Sequence, residues 1–218
     1  MIDVKTIDAK TIDYNVELIT ETGQTYNLDG VRLSVDLEEN ENELAQRATV
    51  RLAQTQVGGA WLHAVAKINC LVRIYARWNG NRRLVFEGTL WDWDYTSDTQ
   101  KELTITAYDP LIRLRQSRDF YYYQSGQTTR ELVAAICNEW NIPVVYPWAH
   151  SITHGEKAFR GVKRVSDMLV GLLDEVTDKT GEKYVLRYAD GQVHIMGYGT
   201  NETVYLLDRG ATVSTSEA

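Results

Sequence analysis

Proline is nearly missing from this chain: three residues in 218. Nothing reads as a low-complexity linker, so the length suits one large domain or two small ones, either able to bury a core without staples. Cysteine is as sparse. Cys70 and Cys137 stand far apart with no CxxC pair and no paired histidine, which excludes a thiolate metal knot and reads as two buried free thiols. No apolar run approaches the length of a membrane span. The start, MIDVKTIDAKTID, interleaves charges and lacks a signal-peptide core, so synthesis and retention in a bacterial cytoplasm are expected, with no membrane partner. Basic residues are outnumbered 23 to 30, and the net charge of -7 argues against a general or specific nucleic-acid binder, because phosphate contacts need a dense cationic face. Absent too are GxSxG, a P-loop, a dinucleotide glycine pattern and any serine in a nucleophile context. An enzyme reading therefore lacks a nucleophile, a base and a cofactor loop, and no enzyme and no cofactor are expected.

What is present is rhythm. From Tyr14 to Tyr108 apolar residues recur every second position: Val31, Leu33, Val35 and Leu37 alternate with Arg32, Ser34 and Asp36, and Ala48, Val50 and Leu52 with Arg47, Thr49 and Arg51. Both read as half-buried antiparallel strands. ETGQ at 21–24 and the Asn-Gly pair in WNGN at 78–81 are hairpin turns, and RLVFEGTLWDWDY and KELTITAYD supply more strands. Seven or eight short strands within about a hundred residues favour a barrel or a tight sandwich, which leaves few edges unpaired.

Near Asp109-Pro110 the period changes. Thr128 with Glu131 forms a capping box, Leu132, Val133, Ile136 and Trp140 share a helical face, and Asn141 with Pro143 ends it. A second helix is predicted over about 166–180, closed by Gly181, and the Asp190-Gly191 pair joins two strands in KYVLRYADGQVHIMGYG. The expected class is α+β: an antiparallel β-barrel with an inserted helix-helix-hairpin α/β module. Residues 1–115 form the barrel with an amino-terminal arm, 116–200 the insert, and 201–218 a strand returning to the barrel followed by a frayed or cut-short tail.

Three constellations invite chemistry. Arg113, Arg115 and Arg118 precede Tyr121, Tyr122 and Tyr123, as in a base-stacking platform, yet adjacent tyrosines on an extended segment alternate sides and cannot share one plane. They read better as an amphipathic seam between domains or between subunits. His150 and His154 in HSITHGE have the separation of a zinc helix, but Ser151 stands where the glutamate belongs and YPWA before them is not helical. Asp92 and Asp94 alternate with Trp91, Trp93 and Tyr95 and read as the solvent face of a strand. The candidate interface residues are thus Tyr121, Tyr122, Tyr123, Arg118, Trp91 and Trp93, with no catalytic, cofactor or metal residue.

The strings AYDPLIRLRQSRDFYYYQSGQTTRELVAAICNEWNIPV, FRGVKRVSDMLVGLLDEVTDKTGEKYVLRYADGQVHIMGYG and ETVYLLDRGATVSTS together resemble the hub proteins of contractile phage baseplates, of the XkdQ/YqbQ type found in prophage tails and tail-like bacteriocins. The resemblance runs from about Val31 to the end and is strongest at Tyr108-Asp109-Pro110-Leu111, Thr128-Thr129, Arg160-Gly161 and Thr180-Gly181-Glu182-Lys183-Tyr184. None of these is catalytic. It implies a homotrimer on the tail axis of a virion or tail-like particle, with tail-tube-like barrels ringing a channel and with the tail tube protein, the central spike protein and other baseplate proteins as partners. Such hubs carry two barrels per chain and continue beyond the STS found here. Either this chain is cut short or another polypeptide supplies the second barrel. The rival readings are a tail-associated cell-wall hydrolase and a single-strand nucleic-acid-binding barrel.

Overall fold

The computed structural model describes residues 3–7, 12–39, 44–96, 101–145, 152–158, 163–199 and 203–207. In chain order the elements are β1 (Asp3–Ile7), β2 (Asp13–Ile19), β3 (Thr25–Asn27), β4 (Arg32–Glu38), β5 (Arg47–Ala53), β6 (Gln56–Val57), β7 (Ala60–Trp61), α1 (Leu62–Val65), β8 (Leu71–Trp78), β9 (Asn81–Thr96), β10 (Glu102–Tyr108), α2 (Leu111–Gln116), β11 (Arg118–Asp119), β12 (Tyr122–Tyr123), α3 (Thr129–Glu139), β13 (Val144–Val145), β14 (Lys157–Ala158), β15 (Lys163–Arg164), α4 (Val165–Thr180), β16 (Tyr184–Ala189), β17 (Gln192–Gly197) and β18 (Thr203–Leu207). They fall into two compact units, one gathering Met1–Asp36, Ala48–Ala107 and Gly199–Ala218, the other Leu37–Arg47 and Tyr108–Tyr198.

A seven-stranded sheet in the order β3-β2-β8-β9-β10-β5-β4 dominates the first unit. Its core is built on period-two alternation: Val16 and Leu18, Val50 and Leu52, Val72 and Ile74, and Leu103 and Ile105 are buried two positions apart on their strands, and Phe86 and Leu90 are buried four apart on β9. Asn79 and Gly80 both take positive φ, 46° and 77°, the geometry that closes β8 onto β9 in two residues. Among the described residues no ladder joins the terminal strands β3 and β4, so closure into a barrel is not shown. Side chains bring the ends together. Arg32, first residue of β4, donates to Asp13 of β2 at 2.8 Å, while the Asp29 carboxylate accepts from the Val16 N–H at 3.0 Å and from the Asn15 amide at 2.6 Å. A carboxylate thus occupies an edge where a further strand's carbonyls would sit, one way of blunting a sheet edge.

One expectation changes here. Leu33, read as facing inward, is 53% exposed, whereas the Ser34 hydroxyl and one Arg32 nitrogen are buried. At the start of this terminal strand Arg32 and Ser34 turn inward, where Arg32 reaches Asp13, while further along Val35 and Leu37 stay half-buried and Asp36 is exposed. The last strand, β18, pairs in parallel with β1 from Asp3↔Thr203 to Ile7↔Leu207, within the unit that holds the seven-stranded sheet.

The second unit packs α2, α3 and α4 with the β13-β17-β16 sheet around one cluster that includes Leu132, Ile136, Leu169, Leu172, Val193 and Ile195. The Thr128–Glu131 capping box forms in full, with Glu131 accepting from the Thr128 N–H at 2.7 Å and Thr128 Oγ1 accepting from the Glu131 N–H at 3.3 Å. Helix α4 ends at Gly181, whose φ of 76° suits a residue without Cβ, and Asp190-Gly191 turns β16 into β17. Cys137 lies in this core, where burial pushes its thiol up to about 12; Cys70 is also buried and free.

Asp109 ties this unit together. Only 3% exposed, it accepts from the Gln46 N–H through Oδ2 at 3.0 Å and from the Leu111 N–H through Oδ1 at 2.9 Å, and its own N–H donates to the Gln46 carbonyl. One side chain therefore starts α2 and holds Gln46 against it. Burial pushes the carboxyl up to about 7 despite both amide bonds. Asp109→Ala strands a buried amide at Leu111 and a half-buried one at Gln46, at about 1–3 kcal/mol each, the second toward the low end. Urea unfolding should show a loss of about 2–5 kcal/mol, and a loss below about 1 kcal/mol refutes the assignment.

Candidate interaction surfaces

From Gln116 to Gln124 the chain is two-faced. Gln116, Arg118, Phe120, Tyr122 and Gln124 are exposed, and Tyr121 and Tyr123 turn inward. Ladders create the alternation: β11 pairs with β15 in the register Arg118↔Arg164, and β12 with β14 in the register Tyr122↔Ala158. Tyr121 and Tyr123 stack at 5.8 Å, and Tyr121 accepts from the Trp140 indole N–H at 3.0 Å. Burial pushes both phenols up, Tyr123 to about 12. The three tyrosines are therefore not one platform: two belong to the core of the second unit, while Tyr122 is 54% exposed and shares its face with Phe120, 56% exposed.

Trp91 and Trp93 lie elsewhere, on β9 past the point where β8 stops pairing at Leu71↔Thr89. Both are exposed, at 44% and 39%, with exposed Asp92 and Asp94 between and beside them. Tyr95 of the same run stacks on His63 at 5.4 Å.

A third cluster had no local mark in the sequence. Segment 152–154 pairs with 126–129 through the His154 N–H on Gln127, the Thr129 N–H on Ile152 and the Gly126 N–H on His154, which carries His154 under the start of α3. Its Nε2 lies 2.8 Å from Thr129 Oγ1 and its Nδ1 3.0 Å from Glu175 Oε2, and Glu175 also pairs with Lys157. That order is the relay of a nucleophile, a base and an orienting acid. Thr129 has no exposed surface, however, and its hydroxyl also lies 3.3 Å from the Ile152 carbonyl, so the relay has no path to a substrate and acts as a tether. His150 and Ser151 lie outside the described residues. Among the described residues no group of three or more His, Cys, Asp or Glu side chains is placed to hold a metal ion. No described helix is long and apolar enough to cross a membrane.

A family model described as YQBQ-like matches residues 35–218. The chain belongs to the YQBQ-like family. No curated protein sequence matches it significantly. The fold of this YQBQ-like chain is similar to that of the prophage MuSo2 43 kDa tail protein from Shewanella oneidensis, with a TM-score of 0.62 at 15% identity over 84% of this chain and 53% of that one. It is also similar to the tail protein from Neisseria meningitidis MC58, with a TM-score of 0.60 at 13% identity over 84% and 51% of the two chains. A chain of the Francisella PdpA-VgrG complex aligns with a TM-score of 0.53 at 10% identity over 95% of this chain and 30% of that one. The YQBQ-like chain thus spans about half the length of the two tail proteins whose fold it shares.

Burial holds the His154 imidazolium below its ordinary range, Glu175 opposes this, and Lys157 and Lys179 reinforce it. Burial pushes the Glu175 carboxyl up, but the bonds from Lys157 and His154 outweigh it and leave it lowered. Both folded-state values lie below the unfolded ones. The stability they contribute is full above about pH 6.5 and is lost as acid titrates first His154, then Glu175. Because the raised Asp109 carboxyl gains stability over the same window, the readout is a difference: the melting-temperature advantage of the unaltered chain over His154→Gln should shrink between pH 7 and pH 5, and parallel curves refute the tether.

Proposed function

We propose that this chain is a structural component of a phage tail or tail-like particle, a baseplate hub that joins the tail tube to the central spike and assembles as a homotrimer. The observation that carries the reading is the shared fold: a YQBQ-like chain superimposes over most of its length on a prophage tail protein and on a second tail protein from a different bacterium. The likeness to a chain of the PdpA-VgrG complex adds an architecture that works inside a multi-protein assembly.

The physical make-up supports the same role. A ring subunit needs stiff sheets and edges that neighbours can cover, and side chains that tolerate water before assembly and burial after it. Tyr and Trp meet the last requirement because each presents an apolar body and a polar tip. Exposed Trp91, Trp93 and Tyr122 are such side chains, and the uncovered terminal strand β4 presents Leu33 outward. In this reading these residues meet the next subunit or a tail partner, while Tyr121 and Tyr123 brace the surface from beneath.

Light scattering of the purified chain, alone and mixed with its tube and spike proteins, tests the proposal. A three-fold mass alone, or a complex with either partner, is expected. Trp91→Ala combined with Trp93→Ala should lower the assembled fraction at least tenfold with the melting temperature unchanged. A chain that stays monomeric and captures neither partner overturns the hub assignment.

A further inference from the structure

Cations are the minority in this chain, yet they gather in one place. The stretch 113–118 holds three arginines and no acid, and the β11–β15 ladder sets Arg118 directly opposite Arg164, with α2 packed beside it. Directly opposed residues of an antiparallel pair point to the same side, so two guanidiniums stand together, an arrangement that costs stability unless an anion lies between them. Both are exposed, and among the described residues neither has an ion-pair partner. Asp119, the nearest acid in the ladder, is in register with Lys163 on the other side.

Next to this pair along the same face come Phe120 and Tyr122, both more than half exposed, and then uncharged Gln124. The face therefore reads as one anion clamp followed by two apolar positions about 7 Å apart, the spacing of alternate residues on an extended chain. A nucleic-acid strand carries a phosphate at every step and needs a row of cations. This face supplies them at one end only, in a chain of net charge -7.

We infer that Arg118, Arg164, Phe120 and Tyr122 form a docking site for an extended acidic segment of a neighbouring tail protein, with a carboxylate between the guanidiniums and apolar side chains at the second and fourth positions beyond it. The occupant follows from complementarity: guanidiniums grip carboxylates in a fork, and exposed aromatics bury against apolar side chains. The identity of the partner as a tail protein rests on the hub reading; the chemistry of the face does not.

Two measurements test the site. In the first, a dye-labelled peptide Glu-Thr-Val-Thr-Phe-Thr is titrated with the chain, beside the same peptide with Lys for Glu and a single-stranded oligothymidylate. The acidic peptide should bind at least tenfold more tightly than the other two, and Arg118→Glu with Arg164→Glu should abolish binding while Phe120→Ala weakens it. In the second, the double glutamate variant, its fold checked by melting temperature, should keep the three-fold mass but lose capture of the tube or spike protein. Equal binding of the lysine peptide, no binding of any probe, or preference for the oligothymidylate overturns the site. Loss of self-association instead of partner capture makes a second copy the occupant and overturns the assignment to a neighbouring protein. If the unaltered chain captures no tail protein, the hub reading fails while the peptide titration still decides the face.

Discussion

A carboxylate with almost no exposed surface governs the second unit. Asp109 receives two backbone amides, one from Gln46 and one from the first turn of α2, each on its own carboxyl oxygen, and no shorter side chain offers two acceptor oxygens in that geometry. From this point the rest follows in order. Helix α2 starts, its end delivers the chain to β11 and β12, and those short ladders set which side chains face out. The Tyr108-Asp109-Pro110-Leu111 string, which carries part of the family likeness, is therefore a piece of backbone engineering: an acid that accepts, then a proline that needs no acceptor of its own.

Local signals carried much of the fold in the sequence. Asn79-Gly80, Asp190-Gly191, the Thr128–Glu131 box and Gly181 each act within a few residues, so each is readable without knowledge of the remainder. Period-two alternation similarly announced β5, because one face of it, Ala48, Val50 and Leu52, is buried by its own sheet. Where the physics is nonlocal, the reading thinned. Four-residue α1 and six-residue α2 are too short for a helical period to register, and the two-residue ladders exist only because tertiary packing aligns them. Strand β4 misled for the same reason: its composition is that of a half-buried strand, but its place at the end of the sheet turns Leu33 outward.

The surfaces show a similar division. That adjacent tyrosines must alternate follows from strand geometry, and it separates Tyr122 from Tyr121 and Tyr123. Which side is the outer one depends on β14 and β15, some forty residues away along the chain. Thr129, His154 and Glu175 are likewise separated by 25 and 21 residues, and no spacing rule links them. The contacts that shape these surfaces therefore lie in pairs that only folding brings together, and a motif search alone passes over them.

The parallel pairing of β1 with β18 has a mechanical corollary. Tension that enters through one strand and leaves through the other pulls the two along their length in opposite directions, so all the cross-strand bonds share the load in shear. An antiparallel pair pulled from adjacent ends opens like a zipper, bond after bond, at lower force. A chain loaded along these two strands would therefore hold to a higher force than one closed by an antiparallel pair.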